Sequence, residues 1–168
     1  VFIGRISPKK NLDLAIDAFA YVPVQVSFDI YGPVEDARYW STCMVKIAVL
    51  PDRITVSYRG ELAPDKVAST FASYDAFVFP TRGENFGHVI AESLSAGCPV
   101  ICSDHTPWTP VLNAGGGVVV QNLSTSEVGK DLAEWAMKSP TARADARGVA
   151  RAAFVNWYNR RDRVNIID

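Results

Sequence analysis

Short apolar runs alternate along this chain with longer stretches whose apolar residues recur every three to four positions. The runs at 1–3, 26–31, 54–58, 75–80, 99–102 and 118–120 are brief, apolar and rich in β-branched residues, as buried strands are. Between them the period is helical. Leu12, Ala15, Ile16 and Phe19 fall on one face of a helix that Asn11 can cap. Residues 35–50 form a second candidate helix, broken at Pro51-Asp52, and Pro64-Asp65 opens a third that runs to Ala72. Residues 89–96 read as a helix stopped by Gly97, and 106–113 as a short helix or turn. Ser124 and Glu127 give a capping-type start to a helix over 124–137, and 141–159 reads as the last. This repeated strand–helix order predicts an α/β domain built on a doubly wound parallel sheet of about six strands, with helices on both faces.

Small and polar residues gather where the strands end, at Gly4-Arg5, Gly32-Pro33, Arg59-Gly60, Thr81 to Gly87, and Ser103-Asp104. Open parallel sheets bind ligands beyond those ends, although any such fold places loops there. The richest of these loops is Thr81-Arg82-Gly83-Glu84-Asn85-Phe86-Gly87-His88. Its two glycines let the backbone approach a ligand, and the amides at the start of the following helix suit phosphate. Glu84 before the helix and Glu92 within it frame that anion site. A carboxylate beside phosphate needs other partners, and sugar hydroxyls are suitable donors. Glu92 sits among Val89, Ile90, Ala91, Leu94 and Ala96, so it is expected to be buried and to need a cation or hydroxyls. A structural salt bridge to Arg5 or Arg59 would serve equally. Arg5 at a strand end and Lys10 at a helix start can both reach one diphosphate; the alternative is solvated cations.

Composition narrows the function. A net charge of −1, with 21% of residues charged, does not suggest a nucleic-acid binder. The 168 residues suffice for one domain, expected to span 1–168, and no apolar run approaches a membrane span. Cys98 and Cys102 flank one short strand, too far apart in extended chain to bridge, so reduced thiols and a cytoplasmic location are expected. They read as small buried residues rather than nucleophiles. No Cys/His cluster has metal-ligand spacing, so no metal site is expected.

The segment from Pro80 to Ile101, with Glu84, Phe86-Gly87, Glu92 and Ala96-Gly97-Cys98-Pro99-Val100-Ile101, resembles the signature of the group 1 (retaining, GT-B fold) glycosyltransferases. Gly4-Arg5-Ile6-Ser7-Pro8-Lys9-Lys10 resembles the same family's Gly-Arg-x-x-x-x-Lys segment. The resemblance extends over nearly all of the chain and implies a Rossmann-like, C-terminal donor-binding half of that fold. Asn85 departs from it, standing where Gly is usual, and so does the stretch around Trp108, where a Glu in a glycine-containing loop is commonest. Trp108 is read as core. The resemblance implies that Arg5 and Lys10 neutralise the diphosphate leaving group, that Glu84 contacts the donor hexose and that Glu92 holds the ribose hydroxyls. It places the backbone amides of Phe86, Gly87, His88 and Val89 on the diphosphate and sugar, and Gly4 beside them. Gly60, Glu61 and Leu62 match the loop against the nucleobase, with an ordinary turn as the alternative for Gly60. His88 is read through its backbone, not as a base, and Lys9 as a surface residue.

The activity that the resemblance implies is transfer of a hexose from a nucleoside diphosphate sugar to an acceptor hydroxyl, in polysaccharide or glycoconjugate assembly, with no cofactor and no metal. No Asp-x-Asp pair of the sort that holds a divalent cation on sugar diphosphates is present. The chain starts inside a strand without Met, so a fragment is expected, inactive alone, its acceptor-binding domain lying upstream. Any attachment to the cytoplasmic membrane face would use that missing half. The apolar end near Trp157 and Tyr158 leaves monomer and dimer open. The rivals are a phosphorylase or sugar-nucleotide epimerase of the same fold, and a non-catalytic flavodoxin-like interaction module. A receiver-type module would want acidic strand ends where Gly4-Arg5 stands, and a dehydrogenase domain would want Gly-x-Gly-x-x-Gly after the first strand.

Overall fold

The computed structural model describes the backbone of residues 1–164 and the side chains of 1–161. Six strands carry it: β1 (Phe2–Ile3), β2 (Val26–Tyr31), β3 (Ile54–Tyr58), β4 (Phe77–Phe79), β5 (Val100–Ser103) and β6 (Gly117–Val120). They pair in parallel as two three-stranded sheets, ordered β1-β2-β3 and β4-β5-β6. The sheets meet along β1 and β4. There the Val1 amine donates to the Ala76 carbonyl at 2.9 Å, and the Val78 amide to the Val1 carbonyl at 2.9 Å. Across the molecule the strands therefore run 3-2-1-4-5-6, and in such sheets the ligand crevice opens where the order reverses, here between β1 and β4.

Among the described residues seven helices cover the sheets: α1 (Leu12–Phe19), α2 (Ala37–Ala48), α3 (Val67–Ala72), α4 (His88–Ser95), α5 (Thr109–Val111), α6 (Thr125–Ala136) and α7 (Pro140–Val164). One layer packs α1 against α2 and α6; the other packs α4 against α3 and α7. The expected face of α1, Leu12, Ala15, Ile16 and Phe19, is buried. Asp36 caps α2, accepting from the Tyr39 amide at 2.9 Å, and Ser124 caps α6, accepting from the Glu127 amide at 3.3 Å. From α3 across β4 to β1 the rings of Phe71, Phe77, Phe79 and Phe2 are all fully buried, with successive centroids 5.0, 4.9 and 5.9 Å apart. Each such ring contributes about 1.5–3 kcal/mol by leaving water.

Some boundaries differ from those the sequence pattern predicts, for local reasons. β4 is shorter than 75–80 because Asp75 is exposed and Pro80 has no amide to give a ladder. Residues 64–72 divide into a 3-10 turn (Pro64–Lys66) and α3. After α5 the chain makes a π-type turn (Leu112–Gly116) with Gly115 at φ 109°, where a Cβ would lie 2.4 Å from Val149 of α7. At the carboxyl edge the strand-end glycines stand in step. The Gly4 amide donates to the Tyr31 carbonyl at 3.0 Å and the Gly32 amide to the Gly60 carbonyl at 2.9 Å.

Candidate active site

An open cleft of about 460 Å³ lies at the carboxyl ends of β1 and β4. One wall is Gly4, Arg5, Lys9 and Lys10; the other is the run from Glu84 to Val89, with the Phe79 ring also lining the cleft. Two loops distant in sequence must be held together to make it. Asn11 does much of this. Its backbone is left-handed (φ 59°, ψ 34°), a conformation that Asn tolerates better than most residues. Its buried side chain donates from Nδ2 to the Pro80 carbonyl at 3.0 Å and accepts at Oδ1 from Arg82 Nη2 at 3.3 Å. The sequence pattern predicts this side chain as the cap of α1. Asn11 does occupy the N-cap position but makes no cap bond, since a capping residue needs extended backbone. The Arg82 amide adds a bond to the Lys9 carbonyl at 2.9 Å.

Lys10 and Glu84 meet across this junction. Lys10 Nζ lies 2.5 Å from Glu84 Oε1, with the two side chains 10% and 12% exposed. Thr81, fully buried, donates from Oγ1 to the same carboxylate oxygen at 3.0 Å, and its carbonyl accepts from Ser103 Oγ at 2.5 Å. The ammonium also stands 5.5 Å from the centroid of the Phe79 ring. Arg5 is different: its guanidinium is exposed and pairs with Glu35 at 2.7 Å.

The wall from Glu84 ends at the start of α4. Gly87 is left-handed (φ 80°) and its carbonyl accepts from the amides of Ile90 and Ala91 at 2.9 and 3.4 Å. Helix geometry leaves the amides of His88 and Val89, two residues earlier, with no acceptor four residues back. They are partial positive charges at the cleft. The His88 ring is exposed, packs 4.6 Å from Phe86, and makes no hydrogen bond among the described residues. The loop is fastened from behind by Trp108, which is buried as expected and donates from Nε1 to the Phe86 carbonyl at 2.6 Å. Its ring packs on Trp157 of α7 at 4.5 Å. The His105 carbonyl accepts from the Glu84 amide at 3.2 Å. Trp108→Phe keeps most of the packing and leaves the Phe86 carbonyl without its donor. We expect a loss of about 1–3 kcal/mol in unfolding free energy, read from a denaturant titration.

Three of the five charged residues assigned to the site from the sequence, Arg5, Lys10 and Glu84, therefore share one cleft with Gly4, Phe86, Gly87, His88 and Val89. Glu92 departs from expectation. It is exposed, it does not line the cleft, and it has no ion-pair partner among the described residues. The cations of the alternative salt-bridge reading are engaged elsewhere, Arg5 with Glu35 and Arg59 with Asp29 at 3.3 Å. It stands one turn beyond His88 on the same side of α4, about 6 Å further from the helix start. Gly60 (φ 79°), Glu61 and Leu62 follow β3, two strands from β1 on the side away from β4, and do not line the cleft. Asn11, Thr81 and Phe79 are site residues that the sequence does not announce. A polar residue at the edge of a phosphate-type loop is the only signal for the first two.

Burial disfavours the thiolate at each cysteine. All three cysteines are free and buried. Burial, then the nearby Glu84 charge, pushes the Cys102 thiol up to about 12, and burial raises Cys98 and takes Cys43 to about 11. Among the described residues no group of His, Cys, Asp or Glu is placed to hold a metal ion, and no helix is long and apolar enough to cross a membrane. A second cavity, of about 350 Å³, lies at the opposite ends of the strands beside Val1, Val26, Ser27 and Ala76.

Fold and cleft define a doubly wound α/β domain whose crevice is lined by Arg5, Lys9, Lys10 and the N-terminus of α4. The chain belongs to the group 1 glycosyl transferases, whose family model matches residues 1–152. It is 27% identical over 163 residues to the O-antigen chain mannosyltransferase B of Escherichia coli, covering 95% of this chain and 42% of that protein. Among solved structures it resembles Anabaena Alr3699/HepE in complex with UDP and glucose (TM-score 0.79, 22% identity, 92% of this chain and 42% of that one). It also resembles the C-terminal domain of a group 1 family protein (LpcC) from Francisella tularensis (TM-score 0.77, 18% identity, 94% and 84%). The chain thus spans less than half of the curated relative and matches a separately crystallised C-terminal domain over most of its length.

Proposed function

We propose that this chain is the donor-binding half of a retaining hexosyltransferase that uses a nucleoside diphosphate sugar. The observation that carries the proposal is the meeting of Arg5, Lys10, Glu84 and the α4 N-terminus in one cleft at the β1–β4 reversal. In transfer, the bond from the anomeric carbon to the diphosphate oxygen breaks and the electron pair leaves with the nucleotide. The acceptor oxygen bonds to that carbon, and its proton passes to the departing diphosphate oxygen. Charge builds on the diphosphate, so cations and amides fixed in advance lower the barrier. Lys10, Arg5 and the amides of Gly87, His88 and Val89 take that role, and the reading calls for no metal. Glu84, beside Lys10, orients the hexose hydroxyls. The position of Glu92 along α4 suits a ribose beyond the diphosphate, and the Gly60–Leu62 turn is assigned to the base. Transfer itself is assigned to a polypeptide that also supplies an acceptor surface, as in the assembly of a polysaccharide or glycoconjugate at the cytoplasmic side of the cell. The mannosyl- and glucosyl-linked names of the relatives support a hexose donor.

Calorimetric titration of this chain with UDP-, GDP- and ADP-sugars tests the reading. At least one is expected to bind, and heat from none of them with folded protein would refute it. Glu92→Ala is expected to weaken nucleotide binding several-fold with little change in preference among sugars; the reverse pattern would reassign the two carboxylates.

A further inference from the structure

The Lys10–Glu84 pair creates a conflict in the proposed division of labour, because each residue is the other's partner within the cleft. Lys10 Nζ and Glu84 Oε1 are 2.5 Å apart, both side chains are about nine-tenths buried, and Thr81 Oγ1 adds a bond to the same oxygen. A ligand that offers phosphate alone must either draw Lys10 away, leaving a buried carboxylate short of its cation, or settle beside that carboxylate. Both are unfavourable. A free sugar offers hydroxyls to Glu84 but nothing to Lys10, so it gains little over water. A ligand carrying both groups replaces both halves at once, phosphate for Glu84 at Lys10 and hydroxyls for Lys10 at Glu84.

We infer that the ion pair makes binding of the diphosphate and of the hexose mutually dependent, so the cleft holds an intact nucleoside diphosphate sugar in preference to the nucleoside diphosphate left after transfer. The inference rests on the donor-binding reading above. Once the sugar has gone, Glu84 loses its hydroxyl donors and competes for Lys10 again. The pair thereby favours product release. Two opposite charges held this close by separate loops, with Asn11 and Thr81 fixing the loops, form a selector for ligands whose anion and hydroxyls are one linkage apart.

The test is calorimetric, with UDP, UDP-glucose, GDP, GDP-mannose and inorganic pyrophosphate on the wild-type chain and on Glu84→Gln. Wild type is expected to bind the preferred nucleotide sugar at least about tenfold tighter than its nucleotide, a gap of about 1.4 kcal/mol. In Glu84→Gln, Lys10 is free and the local negative charge is gone. The nucleotide and pyrophosphate are then expected to bind several-fold tighter than to wild type, the nucleotide sugar weaker, and the ratio to fall toward one. A nucleotide that binds wild type as tightly as its sugar conjugate, or a Glu84→Gln chain that binds nucleotide no better, would overturn the inference while leaving the donor-binding reading intact. If neither ligand bound the folded wild-type chain, both would fall. Thermal unfolding of the variant confirms that it is folded, and the wild-type ratio tests the inference without any variant.

Discussion

Gly32→Ala is expected to lower stability by about 3–5 kcal/mol, a large part of the 5–15 kcal/mol that holds a typical domain together. Two effects add. Gly32 has φ 137°, where an L side chain is strained by roughly 1–2 kcal/mol. A Cβ there would also lie 1.9 Å from the Gly4 carbonyl oxygen, a backbone atom that no rotamer change can move. Relief requires β1 and β2 to part just where Gly4 enters the cleft. Gly60→Ala separates the two effects. It shares the positive φ (79°) but a Cβ there meets nothing within 4 Å, so the expected loss is the strain alone, about 1–2 kcal/mol. Urea or guanidinium midpoints of the two variants, at unchanged slope, check the difference. Equal losses would mean that the strands can shift at no cost and that the close approach of Gly4 to Gly32 is unimportant. A folded but weakened Gly32→Ala chain should also lose affinity for nucleotide sugars, because the displaced carbonyl belongs to a cleft residue.

The strands and the reversal they create are legible in the sequence because apolar runs of this kind have little else to be. The spans 26–31 and 54–58 are those of β2 and β3, and the small and polar strand ends mark the edge on which the cleft lies. Glu92 looks buried only when its neighbours are averaged rather than phased. Along α4 the buried set is Ile90, Ser93 and Leu94, the i, i+3, i+4 pattern of one face, and His88, Glu92 and Ser95 fall on the exposed side. That phase is present in the sequence. The roles of Asn11 and Thr81 are not, because each depends on a partner fixed by tertiary structure. The Asn11 side chain bonds a carbonyl 69 residues away, and the Thr81 carbonyl takes a bond from a serine 22 residues on. Trp108 lies between these cases. Its burial follows from its type, but its bond to the Phe86 carbonyl depends on how the loop after β5 crosses the loop after β4. Signature residues identify what a site contacts; the groups that hold the signature in place carry no pattern of their own.

Lys10→Met is expected to weaken binding of the nucleotide sugar by about 100-fold, whereas Arg5→Met should weaken it by a few-fold only. In the sequence the two cations have equal standing. Their surroundings separate them. The Lys10 side chain is 10% exposed and the Arg5 side chain 59%, so water and salt screen a phosphate contact at Arg5 far more than one at Lys10. A charge-assisted hydrogen bond from a buried ammonium also carries the directional part of the interaction. Lys10→Met has a second expected effect, since it leaves Glu84 among Thr81, Phe79 and the loop without its cation. That should lower stability, and Glu84→Gln in the same chain should restore most of the loss, because the cost lies in the unpaired charge rather than in the missing contact. Calorimetry at two salt concentrations and a double-mutant cycle by denaturant unfolding measure both. Salt should erode the Arg5 contribution and spare that of Lys10. If Arg5→Met proved the more damaging change, the diphosphate would sit at the outer lip of the cleft, and the Lys10–Glu84 pair would be a brace between two loops with no part in gripping the donor.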